Sequence, residues 1–255
     1  MLSKKSLDFL EKMLCSYGPS GFEAETASVF GGYLKEFADE TRSDVTGNFI
    51  ATLNPDSKFK VMMAGHYDEI GFQVVHVSDE GLIYFRNVGG IDKLTVPGTE
   101  VVILNEKGKV AGVIGKKPIH LQETKDREQA IELKNLWIDI GAESKKEALK
   151  LVSIGDPVAY RANFAKIGKN RIVSKGMDDK IGAFVVAEAF RELAEAGVKI
   201  GVCCVGTVQE ELGLRGAHTS TFGIAPDVGF AVDVTFSTDT PDIEKKTIGD
   251  IRLGS

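Results

Sequence analysis

The sequence lacks paired cysteines and long hydrophobic runs. Its 255 residues include three cysteines (Cys15, Cys203 and Cys204), and none has the spacing of a zinc ribbon or a redox motif. Because an odd cysteine count without a disulfide framework is typical of a reducing compartment, we expect a cytoplasmic protein. No apolar run approaches the roughly 18 residues that a transmembrane helix requires, and charges interrupt positions 3–14, where a signal peptide would need an apolar core. We therefore expect no membrane partner.

The sequence also lacks an excess of positive charge. Its 31 lysines and arginines stand against 37 acidic residues, which gives a net charge of −6. A nucleic-acid-binding protein would need a basic patch, so this balance argues against nucleic acid as a partner. Hydrophobic residues make up 43% of the chain, as is typical of a globular protein, and the length allows one large domain or two smaller ones.

Hydrophobic patterns divide the chain into parts of different character. Residues 59–64, 200–208 and 228–232 have the pattern of buried strands, and residues 178–196 have the periodicity of a helix. Near the amino end, Ser20 and Glu23 have the spacing of a capping box. Between residues 70 and 164, short β-branched runs alternate with glycine turns, which predicts a small β domain. We expect an α/β domain (1–69 plus 165–255) that an inserted β domain (70–164) interrupts.

One histidine and several acidic residues follow these predicted strands or precede the helix. Open α/β sheets bind ligands beyond the carboxyl ends of their strands, so we expect these side chains to converge. Clustered carboxylates resist ionising together unless a cation neutralises them. A pair of divalent metal ions is the simplest such cation, and it indicates metal-assisted hydrolysis. The residues concerned are His66, Asp68, Asp178, Asp179, Glu210, Glu211 and Asp233.

Taken singly, these residues also have simpler explanations. His66 and Asp68 could be a turn histidine and a solvated aspartate. Asp178 and Asp179 could cap the helix that follows them. Asp233 could belong to a turn at the end of a strand. The two glutamates are harder to explain in this way, because a solvated loop would not need the long apolar strand that precedes it. The metal hypothesis therefore depends on the whole set.

Five motifs resemble those of one known family. They lie at residues 19–23, at 64–72 around His66, at 176–182 (GMDDKIG), at 206–217 (GTVQEELGLRGA) and at 231–235 around Asp233. The fourth is long and highly specific. Over essentially its whole length, the chain is similar to the cytosolic dinuclear-metal aminopeptidases that assemble into hollow tetrahedral particles. Members of that family also carry the names glutamyl aminopeptidase, deblocking aminopeptidase and endoglucanase or cellulase.

The resemblance implies ligands for two divalent metal ions. His66 and Asp233 would hold the first ion, and Asp178 would bridge it to the second. Glu211 would bind the second ion. The metals would be zinc or cobalt, which suit mixed imidazole and carboxylate ligands. The resemblance also implies a cis peptide bond between Asp178 and Asp179.

The resemblance implies an activity and an assembly as well. Glu210 would be the general base, Asp68 would orient His66, and a metal-bound hydroxide would attack the first peptide carbonyl of a peptide substrate. The expected fold is a mixed-sheet, zinc-peptidase-like catalytic domain of the phosphorylase/hydrolase-like class, with an inserted small β-barrel-like dimerisation domain. In the family, such dimers assemble into a homo-oligomeric dodecamer.

One feature of the family pattern lies beyond residue 255. The family has a further histidine ligand for its second metal near the carboxyl end, and none of His76, His120 and His218 matches that position. For a chain truncated at Ser255 we expect a weakly occupied second site and strongly reduced or absent activity. The alternatives are a related metal-dependent deacylase or carboxypeptidase and a catalytically inactive assembly subunit. A glycosidase would need two carboxylates that flank a sugar bond, so the endoglucanase name has little support.

Overall fold

The amino-terminal part of the chain forms two helices and three strands. In a computed structural model, residues 2–123 and 130–254 are described. Helices α1 and α2 span Lys4–Cys15 and Ala24–Leu34. Strands β1, β2 and β3 span Glu40–Ser43, Phe49–Leu53 and Lys60–His66. The predicted strand at residues 59–64 therefore extends to His66.

The middle of the chain forms a closed antiparallel barrel. Its strands follow the order β4-β5-β8-β7-β6-β9 around the barrel. Helix α3 spans Lys145–Leu151, and short 3₁₀ turns lie at Lys93–Thr95, Ile119–Leu121 and Leu133–Asn135. Buried aliphatic and aromatic side chains fill the barrel, as is usual for one of this size. The six strands are Gly71–Val77 (β4), Ile83–Val88 (β5), Glu100–Asn105 (β6), Gly108–Gly115 (β7), Trp137–Asp139 (β8) and Pro157–Tyr160 (β9).

The carboxyl-terminal part returns to alternating helices and strands. A hairpin, β10 (Ala165–Ile167) and β11 (Arg171–Val173), precedes the long helix α4 (Met177–Glu195). The remaining elements are β12 (Gly201–Thr207), α5 (Arg215–Ile224), β13 (Val228–Ala231) and α6 (Lys245–Ile248). Among residues 2–123 and 130–254, no helix has both the length and the apolar character needed to cross a bilayer.

Five strands from both ends of the chain form one mixed sheet in the order β1-β2-β12-β3-β13. Strands β12 and β13 pair in parallel with β3, whereas β1 and β2 are antiparallel to their neighbours. The carboxyl ends of β3, β12 and β13 consequently lie at one edge of the sheet. The predicted α/β class with an inserted β-barrel is confirmed.

Two glycines allow a helix backbone and an aromatic ring to lie directly against the central strands. A Cβ atom on Gly65 would stand 2.4 Å from the backbone nitrogen of Ala183 in α4. A Cβ atom on Gly206 would stand 2.2 Å from the ring of Tyr67. Such distances are far shorter than van der Waals contact, so neither position accommodates a larger residue without movement of its neighbour. The close approach at Gly65 places the start of α4 beside the end of β3.

Candidate active site

The carboxyl edge of the sheet brings together the six residues that the sequence predicts to hold metal or to act in catalysis. Strand β3 ends at His66, and the turn after β12 carries the two glutamates. The remaining aspartates come from the loop after β3, the first turn of α4 and the segment after β13. Parallel pairing of β12 and β13 with β3 explains this convergence. The residues are His66, Asp68, Asp178, Glu210, Glu211 and Asp233.

His66 is buried and presents its two ring nitrogens to different groups. Its Nδ1 lies 3.3 Å from Oδ1 of Asp68 and 3.2 Å from the carbonyl oxygen of the same residue. Its Nε2 lies 3.1 Å from Oδ1 of Asp178 and 3.7 Å from Oε2 of Glu210. A partner for Nδ1 fixes the orientation of the ring and leaves Nε2 for the acidic cluster, as in metal sites where a carboxylate supports a ligating histidine.

Within the described ranges, two groups of three side chains have the spacing of metal ligands. One is His66, Glu210 and Glu211, and the other is His66, Asp178 and Asp233. In each group the possible ligand atoms all lie within 4.8 Å of one another. One imidazole with several carboxylates is a donor set that suits zinc or a similar divalent ion. The residues present therefore fit a metal centre.

The pKa shifts within the cluster also favour a bound cation. Burial, followed by the charge of Asp178, raises the pKa of Glu211 to about 7. Burial alone would lower the pKa of His66, but its hydrogen bonds to Asp178 and Asp68 raise that pKa to about 11. Both shifts reflect negative charge concentrated in a half-buried place. A divalent cation would relieve this repulsion.

Asp179 has a role different from that of Asp178. It is fully buried, and its Oδ2 accepts a hydrogen bond from the backbone nitrogen of His66 at 3.2 Å. Its Oδ1 accepts from the backbone nitrogen of Gly182 at 2.9 Å, so Asp179 caps the regular part of α4. The capping alternative thus applies to Asp179, whereas Asp178 faces the imidazole. The peptide bond between the two aspartates is cis, as the resemblance implies.

Asp68 connects His66 with the turn that carries the two glutamates. Its Oδ1 and Oδ2 accept from the backbone nitrogens of Glu210 and Glu211 at 3.0 and 3.2 Å. The hydroxyl of Ser20 donates to Oδ2 at 2.5 Å. Burial alone would raise the pKa of Asp68, but hydrogen bonds, chiefly from His66, lower it. Asp68 is therefore an anion that accepts hydrogen bonds from three segments.

The predicted capping box at Ser20 and Glu23 is wrong. The Ser20 hydroxyl donates to Asp68, and Glu23 itself occupies the N-cap position of α2. The carboxylate of Glu23 accepts from the backbone nitrogens of Gly21 and Gln209, at 2.6 and 3.2 Å. The local spacing matched a helix start, but the side chains form tertiary contacts with the site.

Glu69, Lys175 and Lys180 form a buried charged cluster beside the site, and Glu69 and Lys175 line the cavity that Asp178 and Glu211 border. The ammonium of Lys175 lies 2.6 Å from Oε1 of Glu69, and that of Lys180 lies 3.0 Å from Oε2. Both lysines also donate to the carbonyl oxygen of Ser16, at 2.7 and 2.8 Å. These contacts hold the residues on both sides of Asp178 against the amino-terminal segment. Sequence reasoning assigned no role to this cluster.

Comparisons with known proteins agree with the geometry. The profile of the M42 glutamyl aminopeptidase family matches residues 47–254. A lysyl aminopeptidase from Pyrococcus furiosus is 35% identical over 92% of this chain and 68% of its own length. The crystal structure of a TET aminopeptidase from a marine sediment archaeon of the Thaumarchaeota superposes with a TM-score of 0.92. It is 35% identical and covers 96% of this chain and 70% of its own.

A second solved structure bears on assembly. The TET1 peptidase of Pyrococcus horikoshii, which can assemble into a tetrahedron or a large octahedral shell, superposes with a TM-score of 0.83. It is 34% identical, and the match covers 94% of this chain and 72% of that one. The motifs, the fold and the sequence matches agree. The chain belongs to the M42 glutamyl aminopeptidase family.

Proposed function

We propose that the protein is a metal-dependent aminopeptidase that removes amino-terminal residues from peptides. The observation that carries this proposal is the convergence of a buried imidazole with several carboxylates at the carboxyl edge of the sheet, in a chain of the M42 family. The family is one of aminopeptidases, which makes hydrolysis of a peptide bond the expected reaction.

Four residues would hold two divalent ions, which we expect to be zinc or cobalt. His66 and Asp233 would bind one ion, Asp178 would bridge, and Glu211 would bind the other. This assignment is supported by the spacing of His66, Asp178 and Asp233, by the nearness of Glu211 to His66, and by the chemistry of their donor atoms. When bound, the ions would polarise the scissile carbonyl and lower the pKa of a water molecule.

The side chains around the ions would perform the remaining chemistry. Glu210 would accept a proton from the attacking water and return it to the leaving amine. Burial raises the pKa of Glu210, which moves it toward the neutral range where a general base is most effective. Asp68 would hold Nδ1 of His66 and thereby orient the ring.

The surroundings favour a substrate with a free amine. A cavity of about 870 Å³ borders Asp178 and Glu211, and its lining also includes Tyr160, Arg161 and Lys175. A peptide in this cavity would have its amino end beside an acidic cluster, which attracts an ammonium group. The preference for an aminopeptidase over a carboxypeptidase rests mainly on the family match.

Assembly and location are parts of the same proposal. We infer that residues 1–69 and 165–255 form the catalytic domain and that residues 70–164, which contain the barrel, form a dimerisation domain. Homo-oligomers are supported by the likeness to a peptidase that can form a tetrahedron or an octahedral shell. A cytoplasmic location is supported by the cysteines, since Cys15, Cys203 and Cys204 are free thiols.

Chelation and substrate blocking test the proposal together. We expect that a chelator abolishes release of the first residue from a free-amine peptide and that zinc or cobalt restores it, because the acidic cluster needs cations to act. The control substrates are the same peptide with an acetylated amino end and with an amidated carboxyl end. The acetylated peptide should resist cleavage and the amidated one should not. Release of residues from the carboxyl end, or equal cleavage of the acetylated peptide, would contradict the assignment.

A further inference from the structure

The turn that carries Glu210 and Glu211 is held by side chains from three distant segments. The backbone N–H groups of residues 208–211 all donate to side-chain oxygens. The acceptors are Asn48, Glu23 and Asp68, of which Asp68 takes two of the four groups. All three acceptors are buried. Side chains outside the turn therefore satisfy its amino-side backbone donors, while its carbonyl oxygens accept from the backbone of residues 213–216.

Glu23 holds the turn next to the proposed base. Its Oε1 accepts from the backbone nitrogen of Gln209 at 3.2 Å and from that of Gly21 at 2.6 Å. Gln209 has a φ of 53°, in the left-handed region that side-chain-bearing residues rarely adopt. An external acceptor at this residue stabilises a backbone conformation that the chain would otherwise tend to leave.

Asn48 holds the turn one residue earlier. Its Oδ1 accepts from the backbone nitrogen of Val208 at 3.0 Å. Its Nδ2 donates to the carbonyl oxygen of Gly216 at 3.0 Å and to the hydroxyl of Thr219 at 2.9 Å. Asn48 therefore ties the end of β12 to the helix α5 that follows the turn. The turn is fixed on both sides of the two glutamates.

We propose that Glu23 and Asn48 are positioning residues that fix the Glu210 carboxylate relative to His66. They act through the backbone of residues 208–209 rather than through contact with the substrate. Oε2 of Glu210 stands 3.7 Å from Nε2 of His66, and a small rotation of the turn would change that distance. The catalytic consequence rests on the proposed function, in which Glu210 is the base, whereas the effect on the turn does not.

Two conservative variants of Glu23 separate the reach of the side chain from its charge. Glu23→Asp keeps the charge but is one methylene too short to reach Gln209, whereas Glu23→Gln keeps the reach and an acceptor oxygen but loses the charge. We expect Glu23→Asp to lower kcat by roughly 10-fold or more, with KM nearly unchanged, since displacement of a catalytic group by about 1 Å can be this costly. The kcat of Glu23→Gln should stay within about threefold of that of the unsubstituted protein, because the glutamine side chain can still accept the hydrogen bond from Gln209.

The matched control is Glu25→Ala. Glu25 lies on the same first turn of α2, and its carboxylate lies 2.9 Å from Nζ of Lys109, on the surface. It does not belong to the set of side chains that hold the turn, so kcat should be unchanged.

Hydrogen exchange of the segment 205–214 provides a readout that needs no turnover. We expect faster exchange there in Glu23→Asp, and exchange like that of the unsubstituted protein in Glu23→Gln and Glu25→Ala. If the protein shows no aminopeptidase activity, the proposed function fails, but the exchange result still decides the positioning role. Unchanged exchange in Glu23→Asp, or a loss of kcat in Glu23→Gln as large as in Glu23→Asp, would overturn the inference.

Discussion

Replacement of Glu210 by glutamine should lower kcat by about 10²- to 10⁴-fold while the bound metal stays in place, because general acid–base catalysis typically contributes this much. Glutamine has nearly the same shape, and its backbone N–H would still donate to Asp68 as that of Glu210 does. It cannot accept the proton of the attacking water. KM should change little, since Glu210 acts on the water rather than on the peptide.

Glu211→Gln is the matched control, since the two glutamates are adjacent and both lie within reach of His66. If Glu211 is the ligand, its substitution should lower the metal content as well as the activity. Metal content by mass spectrometry, measured beside the steady-state rates, separates the two roles. Loss of metal in Glu210→Gln, or full activity in that variant, would show that the roles are exchanged or wrong.

Removal of Glu69 should destabilise the protein by about 3–5 kcal/mol, the usual effect of breaking a buried ion pair from one side. Glu69→Ala would leave the ammonium groups of Lys175 and Lys180 buried without their counter-charge, since their side chains are 5% and 0% exposed. It would also leave the backbone N–H of Gly18 without its acceptor. The free energy of unfolding in urea, measured with and without metal, gives the effect.

The control for this prediction is an ion pair at the surface. Lys5 and Glu36 approach to 2.6 Å, but their side chains are 52% and 57% exposed. Glu36→Ala should therefore change the free energy of unfolding by less than about 1 kcal/mol. Glu69→Gln keeps an acceptor oxygen, so its effect on the free energy of unfolding should fall between those of Glu69→Ala and Glu36→Ala. Equal stability of the Glu69→Ala and Glu36→Ala variants would contradict the proposed role of the buried cluster.

The position of the site could be predicted because its signals are local. A buried strand is recognisable as an apolar run, and a polar residue directly after it marks the carboxyl edge of the sheet. His66 and the two glutamates stand in such places, and parallel pairing of β12 with β3 brings them together. The inserted β domain was also predictable, since its strands alternate with glycine turns over a continuous stretch, whereas its closure into a barrel was implied only by the family resemblance.

The groups that support the site could not be predicted in this way. Glu69 pairs with lysines 106 and 111 residues away, and Glu23 contacts a nitrogen 186 residues away. No local pattern reports such distant contacts. For Ser20 and Glu23 the local pattern was misleading, since a spacing typical of a helix cap serves tertiary hydrogen bonds to Asp68 and Gln209. These supporting residues are recognised because their charged or polar side chains are buried, and that burial can be seen only once the fold is known.

The most direct test of the metal centre is anomalous diffraction at the zinc edge from crystals grown with zinc. We predict zinc peaks at the carboxyl edge of the sheet, with Nε2 of His66 and carboxylate oxygens of Asp178, Glu211 or Asp233 about 2.0–2.2 Å away. Crystals with ample zinc and an ordered site, but no peak among these four residues, would contradict the account.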